Sequence, residues 1–235
     1  MKILHLSDLH AVERFYAWVA DEVRRTHYDA LVVSGDLLDL LADGPELPDD
    51  FTDLPFIQPQ IKLVTDWAAN LPADLPMFLC SGNHDKLADN HFLKEARWLL
   101  SLKRRNLFVD GDSTNLGYYN FECVGWGRVP IAATKLPKIV VSHSPPSPAP
   151  TGIDHLGMDH GSPALSAHIL LSWNDATVLC GHVHQPRRWH NFGAIISLNP
   201  GADREAATPN HIVIDTDTRA ATLVIGDSRR QTVKL

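Results

Sequence analysis

The chain has 235 residues, of which 44% are hydrophobic and 21% charged, and a formal net charge of −7. That composition excludes a disordered or fibrous chain and leaves room for one large α/β domain or two small ones. The negative balance removes the counterion release that drives non-specific nucleic-acid binding, so a DNA or RNA partner would need a local basic patch.

From the N-terminus, "KILHL" predicts a strand that runs into Ser7-Asp8-Leu9-His10, and residues 12–27 carry helical spacing. "ALVVS" predicts a second strand ending at Gly35-Asp36, residues 41–55 read as a loop, and residues 59–70 as a helix. "MFLCS" predicts a third strand, followed by Gly82-Asn83-His84-Asp85. The next helix is expected over 91–105, its last turn holding Lys103, Arg104 and Arg105, where cations offset the helix dipole. "FECVGW" and "KIVVS" predict strands, the second ending at His143. Residues 143–163 read as a Pro- and Gly-rich loop whose Asp154, His155, Asp159 and His160 could line a substrate entrance or bind an adventitious metal but read best as solvated, since Asp and His are common in exposed turns. A helix over 163–173 opens with Ser162 as its cap and Pro163 at its first position. "TVLC" then predicts a strand ending in Gly181-His182-Val183-His184; further strands follow in "AIISLNPG" and in "HIVIDTDTRAATLVIGD", the latter a hairpin joined by residues 215–219.

Strands alternating with helices predict α/β architecture, and the lack of a linker or internal repeat predicts a single domain over 1–235. Cys80, Cys123 and Cys180 each lie in an apolar run and read as reduced core thiols rather than zinc ligands. "MKILHLSDLH" has no apolar leader character and no run is long enough to span a bilayer, which together predict a cytoplasmic location.

Several strand-like runs thus end in possible metal ligands. In an α/β sheet, ligands bind in the crevice outside the carboxyl ends of the strands, so these clusters are expected to converge on one site. If the backbone there is extended, residues i and i+2 share a side, which would aim Asp8 with His10, and His182 with His184, at a common centre. Gly35, Gly82 and Gly181 each precede a candidate ligand, as expected where a chain leaves a strand abruptly or another backbone comes close. Carboxylate, imidazole and amide oxygen without thiolate suit Mn, Fe, Zn, Ni or Co. The ligands exceed the needs of one ion. Two adjacent ions sharing a carboxylate could generate a hydroxide at neutral pH and clamp a phosphate.

Taken together, "DLH" at 8–10, "GDLLD" at 35–39, "GNHD" at 82–85, His143 in "VSHSPP", "GHVH" at 181–184 and "NPG" at 199–201 resemble the calcineurin-like metallophosphoesterases, in that family's order. The resemblance implies a four-layer α-β-β-α sandwich, two mixed β-sheets flanked by helices. It implies two divalent metal ions, the first held by Asp8, His10 and His184, the second by Asn83, His143 and His182, with Asp36 bridging both. His84 would lie near the substrate, giving a proton to the leaving oxygen or stabilising phosphate charge, with Asp85 orienting it and Asp39 supporting the motif loop. Asn83 and His84 are expected substrate contacts, and Arg187, three residues after His184, is spaced to reach a substrate phosphate.

The function so implied is metal-dependent hydrolysis of a phosphodiester or phosphomonoester, with a small phosphoester as partner and neither nucleic acid nor membrane. "GDLLD" lacks the arginine that Ser/Thr protein phosphatases of the superfamily carry in this motif, and His84 stands where lipid A pathway hydrolases have arginine. Small bacterial-type phosphodiesterases and phosphatases look closest. Two rival readings are a catalytically silent protein-binding scaffold, which the retained ligands argue against, and a metal-dependent nuclease, which the net charge argues against. The sequence leaves the oligomeric state open.

Overall fold

Three parallel strands begin the first sheet: β1 (Lys2–Leu6), β2 (Ala30–Ser34) and β3 (Met77–Cys80). They are joined through α1 (Glu13–Arg25) and α2 (Ile57–Asn70), the helical crossovers that parallel pairing requires. The computed structural model describes residues 1–39, 57–85, 96–173, 175–185, 187–192, 195–226 and 229–234, with the side chains of 187–192, 229, 230 and 233 outside the description. The predicted loop 41–55 therefore lies outside the described residues.

The short β4 (Leu107–Phe108) adds to β3, and at the other edge β11 (His211–Asp215), β12 (Ala220–Ile225) and β13 (Arg229–Lys234) add antiparallel, giving the order β13-β12-β11-β1-β2-β3-β4. The turn between β11 and β12 is the predicted one; Asp215 Oδ1 accepts from the backbone N–H of Asp217 at 2.9 Å and of Thr218 at 3.2 Å. A second sheet has the order β5-β6-β7-β8-β10-β9, built from Ser113–Leu116, Tyr119–Val124, Lys138–Ser142, Ala176–Leu179, Ile195–Asn199 and, at its edge, Arg187–Phe192. Both sheets mix parallel and antiparallel pairs.

Alternation along the strands decides the layers. Leu4, Leu6, Leu31, Val33, Met77 and Leu79 pack with Phe15, Tyr16 and Val19 of α1 and Val64 and Trp67 of α2. The intervening residues Ile3, Ala30, Val32, Phe78 and Cys80 meet Phe121, Cys123, Ile139, Val141, Leu179 and Leu198 of the second sheet. That sheet's other side buries Val140, Val178 and Cys180 against Leu165 and Ile169 of α4 (Pro163–Ser172). The result is the expected helix–sheet–sheet–helix stack. Ser162 caps α4 as expected, its side chain accepting from Leu165 N.

Two expectations change. Of the helix expected over 91–105, residues 91–95 lie outside the described residues and α3 spans only Arg97–Leu100. Beyond Ser101 the chain turns, and Arg104 forms an antiparallel bridge with Leu107, so Lys103–Arg105 is not a final helical turn. Lys103 ion-pairs with Asp112, and Arg104 donates to the Ala68 carbonyl at 2.6 Å. The strand expected over 121–126 is β6, which begins two residues earlier and stops at Val124. All three cysteines are unbridged and buried. Among the described residues, no helix is long and apolar enough to cross a membrane.

Candidate metal centre

β1 ends at Leu6, and the chain after it runs beside the chain after β2: Asp8 N donates to Gly35 O at 3.0 Å and His10 N to Asp36 O at 2.9 Å. The backbone here is left-handed, with φ of 57° at Asp8, 47° at His10, 51° at Asp36 and 70° at His182. L-residues avoid this region, and when they are held in it they tend to gather at functional sites. The expectation that an extended backbone aims Asp8 with His10, and His182 with His184, is therefore corrected: these side chains are directed by strained loops past the strand ends. Close approach explains two of the glycines. A Cβ at Gly82 would lie 2.1 Å from Asp36 Oδ1, and one at Gly181 would lie 1.7 Å from Ser7 Oγ.

Asp8, His10, Asp36 and His184 come together, each offering an atom within 4.8 Å of the others. The Nε2 atoms of His10 and His184 face each other at 3.0 Å, and Asp8 Oδ1 lies 3.4 Å from His184 Nε2. On the adjoining side, His143 Nε2 sits 3.1 Å from Asp36 Oδ2 and 3.1 Å from Asn83 Oδ1. His143 Nδ1 donates to the Ser34 carbonyl at 2.8 Å, which fixes the tautomer that leaves Nε2 free to face the cluster. The His182 ring packs 5.2 Å from that of His143, and His182 N donates to Asp8 at 3.2 Å. Asn199, wholly buried, ties the loop from behind, donating to the carbonyls of Thr151, Gly181 and Val183 and accepting from Gly201 N.

The electrostatics favour cations. Burial raises the carboxyls of Asp8 and Asp36, but the His143 imidazole foremost outweighs it and holds both below their ordinary range. Burial lowers His10 and His182 to about 4, leaving neutral imidazoles able to act as ligands. His143 is lowered by burial and raised more by Asp36 and Asp8, ending at about 9. Two ionised carboxylates, the neutral imidazoles of His10 and His182, that of His143 once its proton is displaced, an amide oxygen and no thiolate form a donor set that fits divalent ions.

His84 lies at the mouth of the cluster, its Nε2 3.9 Å from Asp36 Oδ2 and its ring 4.7 Å from that of His10. Asp85, expected to orient His84, instead accepts from the backbone N–H of Leu38 and Gly82, each at 2.8 Å, and so stitches two motif loops together. Its burial raises its carboxyl to about 7. The carboxylate facing His84 is Asp39, whose Oδ1 is 3.5 Å from His84 Nδ1 and 3.6 Å from His10 Nδ1. Arg187 opens β9, and its side chain is outside the described residues.

Two further neighbours of the site are not among the expected site residues. Trp126 places its ring 5.5 Å from His143 and 5.0 Å from His182. A tryptophan just past a strand gives no sequence signal for this position. His160, expected in a solvated loop, has its ring 5.9 Å from His182 and bonds Asp154 Oδ2 at 2.9 Å. Asp154 also accepts from Leu156 N and Met158 N, so this loop is ordered by its own carboxylate beside the site. Cys180 lies in the apolar cluster under α4, where burial pushes its thiol up to about 12 and keeps it inert.

Similar folds occur among solved structures. One solved chain of 16% identity superposes with a TM-score of 0.65, covering 99% of this chain and 98% of its own. The TT1561 protein of Thermus thermophilus is 16% identical, with a TM-score of 0.58 and coverage of 99% and 98%. The Escherichia coli phosphoesterase YfcE is 17% identical, with a TM-score of 0.51 and the same coverage. Among curated proteins, none matches the sequence. A family model does match, that of the calcineurin-like phosphoesterases, over residues 1–186, a span that takes in every loop supplying a side chain to the cluster except the one behind it at Asn199. With the helix–sheet–sheet–helix fold and the carboxylate–imidazole cluster at its rim, that match makes the chain a member of the calcineurin-like phosphoesterase family, a metal-dependent phosphoesterase.

Proposed function

We propose that the protein hydrolyses a small phosphodiester or phosphomonoester at a centre of two divalent ions, within one domain formed by residues 1–235. Asp8, His10 and His184 would hold one ion, Asn83, His143 and His182 the other, and Asp36 both. The observation that carries this reading is the place of Asp36 Oδ2, 3.1 Å from His143 Nε2 and 3.9 Å from His10 Nε2, so that a single carboxylate faces both halves of the cluster. Such ions, when bound, supply Lewis acidity to phosphoryl oxygens and acidify water.

The chain's own residues supply the rest. Asp8 and Asp36 stay ionised at neutral pH and bring negative charge to the rim. His84, part-exposed beside them, can reach a leaving oxygen with Nε2 while Asp39 faces its Nδ1; burial lowers its pKa, so its imidazolium is the stronger acid but the minor form at neutral pH. Asn83 and His84 are the substrate contacts, joined by Arg187 from the start of β9. The net charge of −7 supports a small substrate over nucleic acid, and the three buried, unbridged thiols support a reducing, cytoplasmic location.

The test is hydrolysis of bis(p-nitrophenyl) phosphate alongside elemental analysis of the protein as purified. Chelation should abolish turnover and Mn²⁺ should restore it, with two ions per chain when active. Turnover indifferent to chelator would overturn the mechanism, and two bound ions without turnover on any phosphoester would favour a silent scaffold.

A further inference from the structure

Asp39 lies between two histidines with different duties, and its partner comes from a part of the chain the family match does not include. The carboxylate presents a single oxygen, Oδ1, to His84 Nδ1 at 3.5 Å and to His10 Nδ1 at 3.6 Å. Both Nδ1 atoms are buried and make no hydrogen bond, so the Asp39 oxygen, just outside bonding distance of each, is the acceptor that faces them. Arg204 grips the same carboxylate with two prongs, NH1 to Oδ2 at 2.8 Å and NH2 to Oδ1 at 2.9 Å. Residues 1–186 match the family; Arg204 stands beyond them. Its own backbone is fastened, since Arg14 at the start of α1 donates to the Arg204 carbonyl and, at 3.0 Å, to that of Ala206. Asp39's main chain is fastened too, with its N–H donating to Gln60 Oε1 at 2.7 Å.

We propose that Arg204 is a positioning residue: its fork fixes the plane of the Asp39 carboxylate so that one oxygen stays between the Nδ1 atoms of His10 and His84, favouring a proton on each and turning both Nε2 atoms into the centre. A carboxylate can rotate about its Cβ–Cγ bond, and with one oxygen shared between two rings a small rotation favours one ring and abandons the other. Two parallel hydrogen bonds from a planar guanidinium stop that rotation. A lysine at the same place supplies charge without the fork. Although Asp39, His10 and His84 cluster tightly enough to hold a cation, the guanidinium on the carboxylate sets a positive charge against any ion there. The group is therefore a hydrogen-bond hub, aligning one imidazole that binds metal and another that handles the leaving group.

This inference rests on the roles proposed above for His10 and His84, so its test includes a readout that needs no turnover. In the metal-free protein, long-range ¹H–¹⁵N imidazole spectra should show the Nδ1–H tautomer at both histidines, and Arg204→Gln should move at least one of them toward Nε2–H. In the loaded enzyme, Arg204→Gln and Arg204→Lys should each lower kcat by about 10- to 100-fold, the range seen when partners behind metal ligands are removed. KM should change little, and Arg204→Gln should weaken Mn²⁺ binding to the metal-free protein by about tenfold in calorimetry. Because Arg204 acts through Asp39, Arg204→Gln should cost less than about twofold further in an Asp39→Asn background.

Several results would overturn the proposal. Additive effects in that cycle with a raised KM would make Arg204 a direct phosphate-binding cation. Full rescue by Arg204→Lys would reduce its part to charge, and unchanged tautomers in Arg204→Gln would refute the hub even in a protein that showed no turnover. Wild-type inactivity on every phosphoester would refute the hydrolase reading alone and leave the spectra to decide this one.

Discussion

Between the sheets, Ile3, Val32 and Phe78 sit in regular ladders and meet Phe121, Ile139 and Val141 across an apolar interior; a few residues along the same strands, Asp8, Asp36 and Asn83 lie on loops, the two aspartates with left-handed backbone. The interior is held by burial, which is non-directional and tolerates exchange of similar side chains. The rim is held by directed bonds between loops, Asp8 N to Gly35 O, His10 N to Asp36 O and His143 Nδ1 to Ser34 O among them. Stability and chemistry are thus carried by different parts of the same strands, the middle bearing the strain that the ends store.

Mutations at each place should separate these properties. The largest effect is expected at Asp36: Asp36→Asn should lower kcat/KM by about 10³-fold or more and reduce bound metal, because one carboxylate serves both halves of the cluster. Ile139→Ala, in the interior, should do the reverse, costing about 2–5 kcal/mol in chemical denaturation while turnover per bound metal stays within about twofold. Lost turnover in a fully folded Ile139→Ala protein would erase the distinction.

Asn199 lies where the two regions meet. Its amide serves three carbonyls, two of them in the loop that carries His182 and His184. Asn199→Ala should therefore cost both properties at once: about 1–3 kcal/mol of stability from buried groups left unpaired, and about 10-fold in metal affinity. Denaturation and calorimetry on one preparation would show whether the two losses travel together.

The smallest and most continuous effect is in pH. In the metal-free protein His143 is raised to about 9 by Asp36 and Asp8 against the lowering effect of burial. A histidine with a raised folded pKa stabilises fully below its unfolded value, near 6.5, and that contribution is lost as pH rises through about 9. Metal binding needs the neutral imidazole, so affinity should strengthen up to about tenfold per pH unit over the same window. Between pH 7 and 9 the thermal midpoint should consequently fall with pH for the metal-free protein and rise for protein in limiting Mn²⁺. Parallel slopes would remove His143 from the ligands.

Much of this was legible in the chain itself. Near-continuous apolar runs mark β1, β2 and β3 as strands buried on both faces, because side chains in a strand point alternately to each. The motif residues, in their order, identified which side chains gather at the rim. The strand ends held less information. A spacing of two between Asp8 and His10 suggests an extended pair, yet both residues are left-handed, a conformation imposed by hydrogen bonds to the chain after β2.

The role of a carboxylate was harder still to read. Asp85 adjoins His84 in sequence but bonds backbone N–H groups of Leu38 and Gly82, while Asp39 faces the His84 ring. Trp126 and His160 reach the site from segments with no motif around them, and Arg204 from three residues beyond "NPG".

The sequence by itself determined which runs are buried strands and, through its motifs, which loops meet at the rim, since apolar runs and residue chemistry are local properties that survive in any fold that buries them. Only the tertiary structure decided which carboxylate meets which imidazole. Direction depends on loop backbone held left-handed by distant partners, and a hydrogen bond between Asp39 and Arg204 joins positions 165 residues apart.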